Sequence, residues 1–152
     1  MTEIYVDADA CPVKQEIVRA AERRGLVVHM VSNGWAGFSG SQNVRRVLVE
    51  QGPDAADDWI AGRAGAGDLV VTRDIPLAAR CLEQGARVIG PEGRPFTAAN
   101  IGAALAMRDL AAHRRETGEA SGGPPPFARK DRLRFLDAIE RELQALRRQQ
   151  EG

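Results

Sequence analysis

Five short runs rich in β-branched and other apolar residues, IYVDAD at 4–9, LVVHMVSN at 26–33, VRRVLVE at 44–50, DLVVT at 68–72 and ARVIG at 86–90, punctuate the first ninety residues. Most of the stretches between them space their apolar residues at helical intervals. Runs this short suit buried strands, and their alternation with amphipathic helices predicts an α/β fold: a three-layer domain around a mainly parallel five-stranded sheet. Helices are expected at 12–25, 54–64, 75–84, 97–115 and 131–148. Pro12 suits a first helical turn, Gly25 a C-terminal cap and Thr97 an N-cap.

The chain has 152 residues, 43% of them hydrophobic, which is enough for one domain with its own core and too few for two. A single domain over 1–152 is expected: a core over about 1–115, a Gly/Pro-rich loop over 116–130, and a C-terminal amphipathic helix over about 131–148. Leu136, Ile139, Leu143 and Leu146 form a stripe on that helix, which must dock on the body or on a second copy and so permits a homodimer. No apolar run approaches the roughly 20 residues of a membrane span, and the N-terminus lacks the pattern of a signal peptide, so a cytoplasmic location is expected. Cys11 and Cys81 belong to no metal-ligand spacing or disulfide framework. With 21 basic and 21 acidic residues, any polyanion would have to be caught locally.

Ligand sites of open parallel sheets form beyond the C-terminal ends of the strands. That edge collects acids. Asp7 and Asp9 end the first run, Asp74 follows the fourth, and Asp54, Asp57 and Asp58 open the helix between the third and fourth. Two carboxylates about 4 Å apart repel by about 4 kcal/mol at an effective dielectric near 20, so the group needs a neutraliser. Lysine is scarce, with only Lys14 and Lys130, although Arg73 and Arg80 lie near Asp74. A hard divalent cation fits an all-carboxylate set better.

Each piece also has a structural reading. Asp54 suits an N-cap and Asp57 or Asp58 a dipole-favoured acid in a first turn. Asp68 precedes its strand and reads as a turn residue, and Cys11 as a small cap or buried side chain. Trp35 and Phe38, in the Gly/Ser loop 34–42, suit base stacking, a lid or an interface. His29 and His113 read as structural.

YVDADACPVK, SNG, DAADDWI, GDLVVTRDIPLAARCLEQGA, NIGAALAMRDL and GGPPPFARKDRLRFLDAIER, taken in order over nearly the whole chain, resemble the YaiI/YqxD family of bacterial proteins. That family looks like a member of the PIN-like clan, whose active members cleave RNA or DNA with Mg²⁺ or Mn²⁺ held by a few acids. The resemblance implies a metal-dependent nuclease with catalytic Asp7, Asp9, Asp57 and Asp74, one or two ions on Asp7, Asp57, Asp58 and Asp74, and an RNA or DNA substrate. Asn33, Trp35, Arg73, Lys14, Arg129 and Lys130 would guide that substrate. PIN nucleases commonly add a mid-domain glutamate, and residues 34–50 carry only Glu50.

That difference motivates one alternative, a non-catalytic PIN-like module that binds nucleic acid or a partner. A second alternative is a haloacid-dehalogenase-like phosphatase, since VDADAC resembles the DxDx[TV] motif. There Cys11 stands at the Thr/Val position, and no suitably placed lysine follows.

Overall fold

The computed structural model describes residues 1–34, 42–50, 52, 54–118 and 126–151. In chain order these form β1 (Glu3–Asp7), a 3₁₀ turn (Ala8–Ala10), α1 (Lys14–Arg24), β2 (Val27–Ser32), β3 (Val44–Leu48), α2 (Ala55–Ala61), β4 (Leu69–Val71), α3 (Ile75–Glu83), β5 (Arg87–Ile89), β6 (Pro95–Phe96), α4 (Ile101–Thr117) and α5 (Arg129–Glu151). The sheet order is β3-β2-β1-β4-β5-β6, with every pairing parallel except β5 with β6. The α/β class with a mostly parallel sheet is as the sequence led us to expect. Among the described residues the sheet has a sixth strand beside the five expected, two-residue β6, which is too short to leave any periodicity in the sequence.

Side-chain alternation along β1 builds two cores. Ile4 and Val6 face α1 and α5, among Ile17, Val28, Leu69, Phe135 and Ile139. Tyr5, one position out of phase, faces α2 and α3, among Ile60, Val70, Leu77 and Val88, with α4 resting on this layer through Ile101 and Ala104. The strands buried on both faces are the continuous apolar runs of the sequence.

α5 docks on the chain's own body. Phe135, Ile139, Leu143 and Leu146 are buried, so Phe135 leads the stripe in place of Leu136, which is half-buried. Burying each such side chain contributes about 1.5–3 kcal/mol. Polar contacts set the helix's register: Arg132 donates to the Pro12 carbonyl and pairs with Glu16, Arg23 and Arg24 fork onto Glu140, and Arg87 pairs with Glu142. The Arg132 contacts place the start of α5 beside the start of α1.

Several boundaries differ from expectation for local reasons. β1 ends at Asp7 and the chain turns through Ala8–Ala10, so Asp9 leaves the strand. α4 starts at Ile101 rather than at 97, yet Thr97 still caps it: Thr97 Oγ1 accepts from Asn100 N–H, and Asn100 Oδ1 accepts from Thr97 N–H. Asp54 occupies the N-cap position of α2 but makes no capping hydrogen bond, and that helix stops at Ala61 rather than at 64. Asp68 is a turn residue, accepting from Glu3 N–H and Gly65 N–H at the opposite edge from Asp7. Among the described residues no helix is long and apolar enough to cross a membrane.

Candidate active site

The chain runs from β1 outward through β2 to β3, then returns to lay β4 against the other side of β1. The point between β1 and β4 is therefore where the winding reverses, and crevices for ligands open beyond the strand ends there. Asp7 closes β1 at that point, and Thr72 follows β4 beside it.

Thr72 organises the junction. Its hydroxyl donates to Asp7 Oδ2 at 3.0 Å and accepts from Asp74 N–H at 3.0 Å. Asp74 in turn caps α3, its Oδ1 accepting from Leu77 N–H at 2.9 Å, with Pro76 in the first turn where no N–H is needed. Two carboxylates from different elements are thus fixed by one 1%-exposed threonine. Thr72 was absent from the expected site residues. The spacing Thr-x-Asp, a hydroxyl two residues before a cap, is the local signal that would have found it.

Asp57 enters from the first turn of α2. Burial, together with the negative charges of Asp74 and Asp7, pushes its pKa up to about 6. Burial also raises Asp7, with the Thr72 hydrogen bond opposing it and the negative charges of Asp74 and Asp9 adding to it. Carboxylates in one half-buried crevice resist ionising together.

The remaining expected residues are placed differently. Asp58, the next residue on α2, pairs with Arg80 of α3 at 2.8 Å on an exposed surface. Asp9 accepts from the Ser32 hydroxyl and from Asn33 N–H at 3.1 Å. It ties the 3₁₀ turn to the end of β2, within electrostatic reach of Asp7, and Asn33 takes part through its backbone. Arg73 is exposed and pairs with Glu92 at 2.8 Å. Lys14 opens α1, and Arg129 and Lys130 open α5, at the edge where Asp7 lies. Trp35 and Phe38 lie outside the described residues. Cys11 is buried, which pushes its thiol up to about 11, so a reactive thiolate is disfavoured. His29 is buried, stacked on Tyr5 and bonded to Glu3 at 2.7 Å.

The donor set of Asp7, Asp57 and Asp74 is all carboxylate oxygen, the chemistry a hard divalent cation takes. Asp74 uses one oxygen on Leu77 N–H and Asp7 one on Thr72. Among the described residues, no group of three or more His, Cys, Asp or Glu side chains converges closely enough to hold a metal ion as the side chains stand. The donor chemistry fits a cation.

A family model described as "Uncharacterized BCR, YaiI/YqxD family" matches residues 5–145. The chain is 60% identical over 148 residues to a UPF0178 protein of Parvibaculum lavamentivorans, covering 97% of each. It is 54% identical over 147 residues to one from Rhodospirillum rubrum, covering 96% of this chain and 98% of the relative. A UPF0178 protein of Ruegeria pomeroyi is 56% identical over 156 aligned positions, covering both chains completely. No solved structure matches this chain.

Proposed function

The chain belongs to the YaiI/YqxD family, and we propose that it is a PIN-like, divalent-metal-dependent nuclease that hydrolyses phosphodiester bonds of RNA or DNA. One observation carries the reading: three carboxyl groups from three separate elements, Asp7, Asp57 and Asp74, gather where the winding of a parallel sheet reverses. No packing need explains acids gathered in one half-buried crevice, and their mutual repulsion destabilises the fold.

In this reading Asp7, Asp57 and Asp74 hold one or two Mg²⁺ or Mn²⁺ ions. When bound, such a cation lowers the pKa of water and neutralises charge on the phosphate and leaving oxygen. The protein's own part is orientation and proton release. Thr72 aims one oxygen of Asp7 at itself and leaves the other to the crevice. Asp57, whose pKa burial and its acidic neighbours push up to about 6, would give up its proton to a bound cation and so become a free acceptor. Asp9, anchored by Ser32 and Asn33, supplies a further negative charge beside Asp7. The all-oxygen chemistry of the set favours Mg²⁺ or Mn²⁺ over zinc.

The test is incubation of the purified protein with single-stranded RNA and DNA in Mn²⁺ or Mg²⁺, beside Asp7→Asn and Asp74→Asn. Cleavage by the wild type and its loss by about a hundredfold or more in both variants is expected. Cleavage that persists undiminished in both overturns the assignment. A second reading, a binding module without turnover, is favoured by the lack of three converging ligands among the described residues. It predicts nucleic-acid affinity with no cleavage in any divalent metal.

A further inference from the structure

Beside the acidic group, a groove of about 1110 Å³ runs between the β5–β6 turn, the first half of α4 and the chain entering α5. It begins at Arg73 and Ile75, the residues that flank Asp74 in sequence, and at Gly90, which follows β5 on the edge where β1 ends. The groove and the carboxylate crevice are therefore neighbours on one edge.

Its lining is an unusual mixture. Among the described residues, three arginines, Arg73, Arg94 and Arg108, face it against one acid, Glu92. Glu92 is already engaged by Arg73 at 2.8 Å. Arg94 and Arg108 have no carboxylate partner among the described residues, although the chain as a whole has zero net charge. Between these cations lie apolar surfaces of Phe96, Phe127 and Met107, the last 66% exposed. A methionine that exposed on a helix facing a cleft is apolar area with no partner among the described residues.

We propose that this groove binds a single-stranded nucleic acid and leads it to the carboxylates. The guanidinium groups match backbone phosphates, and the apolar faces match unstacked bases. A duplex has its bases already stacked and would leave the exposed Met107 without a role. Placing the cations beside the acids also answers an electrostatic difficulty. A crevice of carboxylates repels a polyanion, and a flanking basic groove offsets that repulsion. The assignment rests on the nuclease reading for the destination of the strand, but its binding step is separable from turnover.

The experiment measures fluorescence anisotropy of short labelled oligo-uridylate and oligo-deoxythymidylate in EDTA, with a duplex of the same length as comparison. The expected result is single-strand binding that weakens with salt. It should fall about tenfold or more in the Arg94→Glu/Arg108→Glu double variant, and fall measurably in Met107→Ala. Both arginines are exposed, so folding should be intact by thermal melting. Arg94→Lys/Arg108→Lys should retain most of the affinity if phosphate charge is what is read. Binding to either strand upholds the groove, and a gap between the two shows whether the 2′-hydroxyl is read.

Unchanged affinity in the double Glu variant, or equal affinity for the duplex, overturns the proposal. So does concentration-dependent self-association abolished by Met107→Glu, which would make a second copy the occupant. If binding behaves as expected but no metal supports cleavage, the nuclease reading fails and the groove stands. If cleavage occurs with an unaltered KM in the double variant, the groove fails and the nuclease reading stands.

Discussion

Asp57, in the first turn of α2, lies within electrostatic reach of Asp74, which caps α3, and burial with that neighbouring negative charge pushes the Asp57 pKa up to about 6. Asp57 therefore keeps its proton into a range where an ordinary carboxyl has lost it, which relieves the repulsion in the crevice much as a bound cation would. Protons and divalent cations should therefore compete here, and the competition is measurable.

The first expectation concerns pH and stability in EDTA. The folded pKa of Asp57 is pushed up to about 6 from an ordinary 3.8, so between these values the native chain binds more protons than the unfolded one. Asp7 is raised in the same direction. Stability fully present below the unfolded value is lost as pH rises through about 6, by about 1 kcal/mol once solvent screening of this partly exposed group is allowed for. Asp57→Asn should flatten that decline and raise the melting temperature near neutral pH. A wild type whose melting temperature is level across this window would contradict the raised pKa of Asp57.

Metal addition should reverse the loss. A cation at about a hundred times its dissociation constant adds roughly 2.7 kcal/mol, which raises the melting temperature of a chain this size by about 5–10 °C. Asp7→Asn should abolish the rise, whereas Asp58→Asn should preserve it, because Asp58 is engaged with Arg80 outside the crevice. Differential scanning calorimetry with Mn²⁺ and with Mg²⁺ decides this. An equal loss in both variants would put Asp58 back into the ligand set.

What the sequence disclosed here follows physical range. β1, β2, β4 and β5 were legible because burial on both faces leaves unbroken apolar runs, and Asp7 and Asp74 were legible because topology puts both strand ends on one edge. The division between Asp57 and Asp58 was not legible. They are adjacent on α2, and which of them faces the crevice depends on how that helix rolls against the sheet. Thr72 was hidden for a related reason: as the residue after a strand it looks like ordinary β-former chemistry until Asp7 is seen across from it. β6 and the groove behind it depend on a turn packing against α5, a contact between segments some forty residues apart with no local pattern.

Thr72→Val tests the threonine directly. The substitution keeps the shape but removes the donor to Asp7 and the acceptor for Asp74 N–H, and should cost about 1–3 kcal/mol in urea unfolding. With the hydrogen bond that lowers its pKa gone, Asp7 should titrate at a higher pH than in the wild type, as read from carboxyl carbon NMR shifts. Thr72→Ser keeps both bonds and should leave the Asp7 titration in place. If Val and Ser behave alike, the hydroxyl is not what positions Asp7.

The last expectation separates backbone strain from packing at two glycines. Gly25 and Gly93 both adopt positive φ, 66° and 87° respectively. A Cβ on Gly25 would meet nothing within 4 Å, whereas one on Gly93 would sit 2.7 Å from the carbonyl carbon and oxygen of Arg134 and 2.9 Å from Phe135 N. Backbone atoms of a docked helix cannot step aside as a side chain can. Gly25→Ala should therefore cost only the conformational term of about 1 kcal/mol. Gly93→Ala adds overpacking to that strain, for a total of about 2–4 kcal/mol, and pushes the β5–β6 turn off α5. Because that turn carries Glu92 and Arg94 into the groove, Gly93→Ala should also weaken single-strand binding, while Gly25→Ala leaves it alone. Urea unfolding of the two variants, run beside the anisotropy measurement, checks both halves. Equal stability losses would mean that the turn does not rest on the α5 backbone.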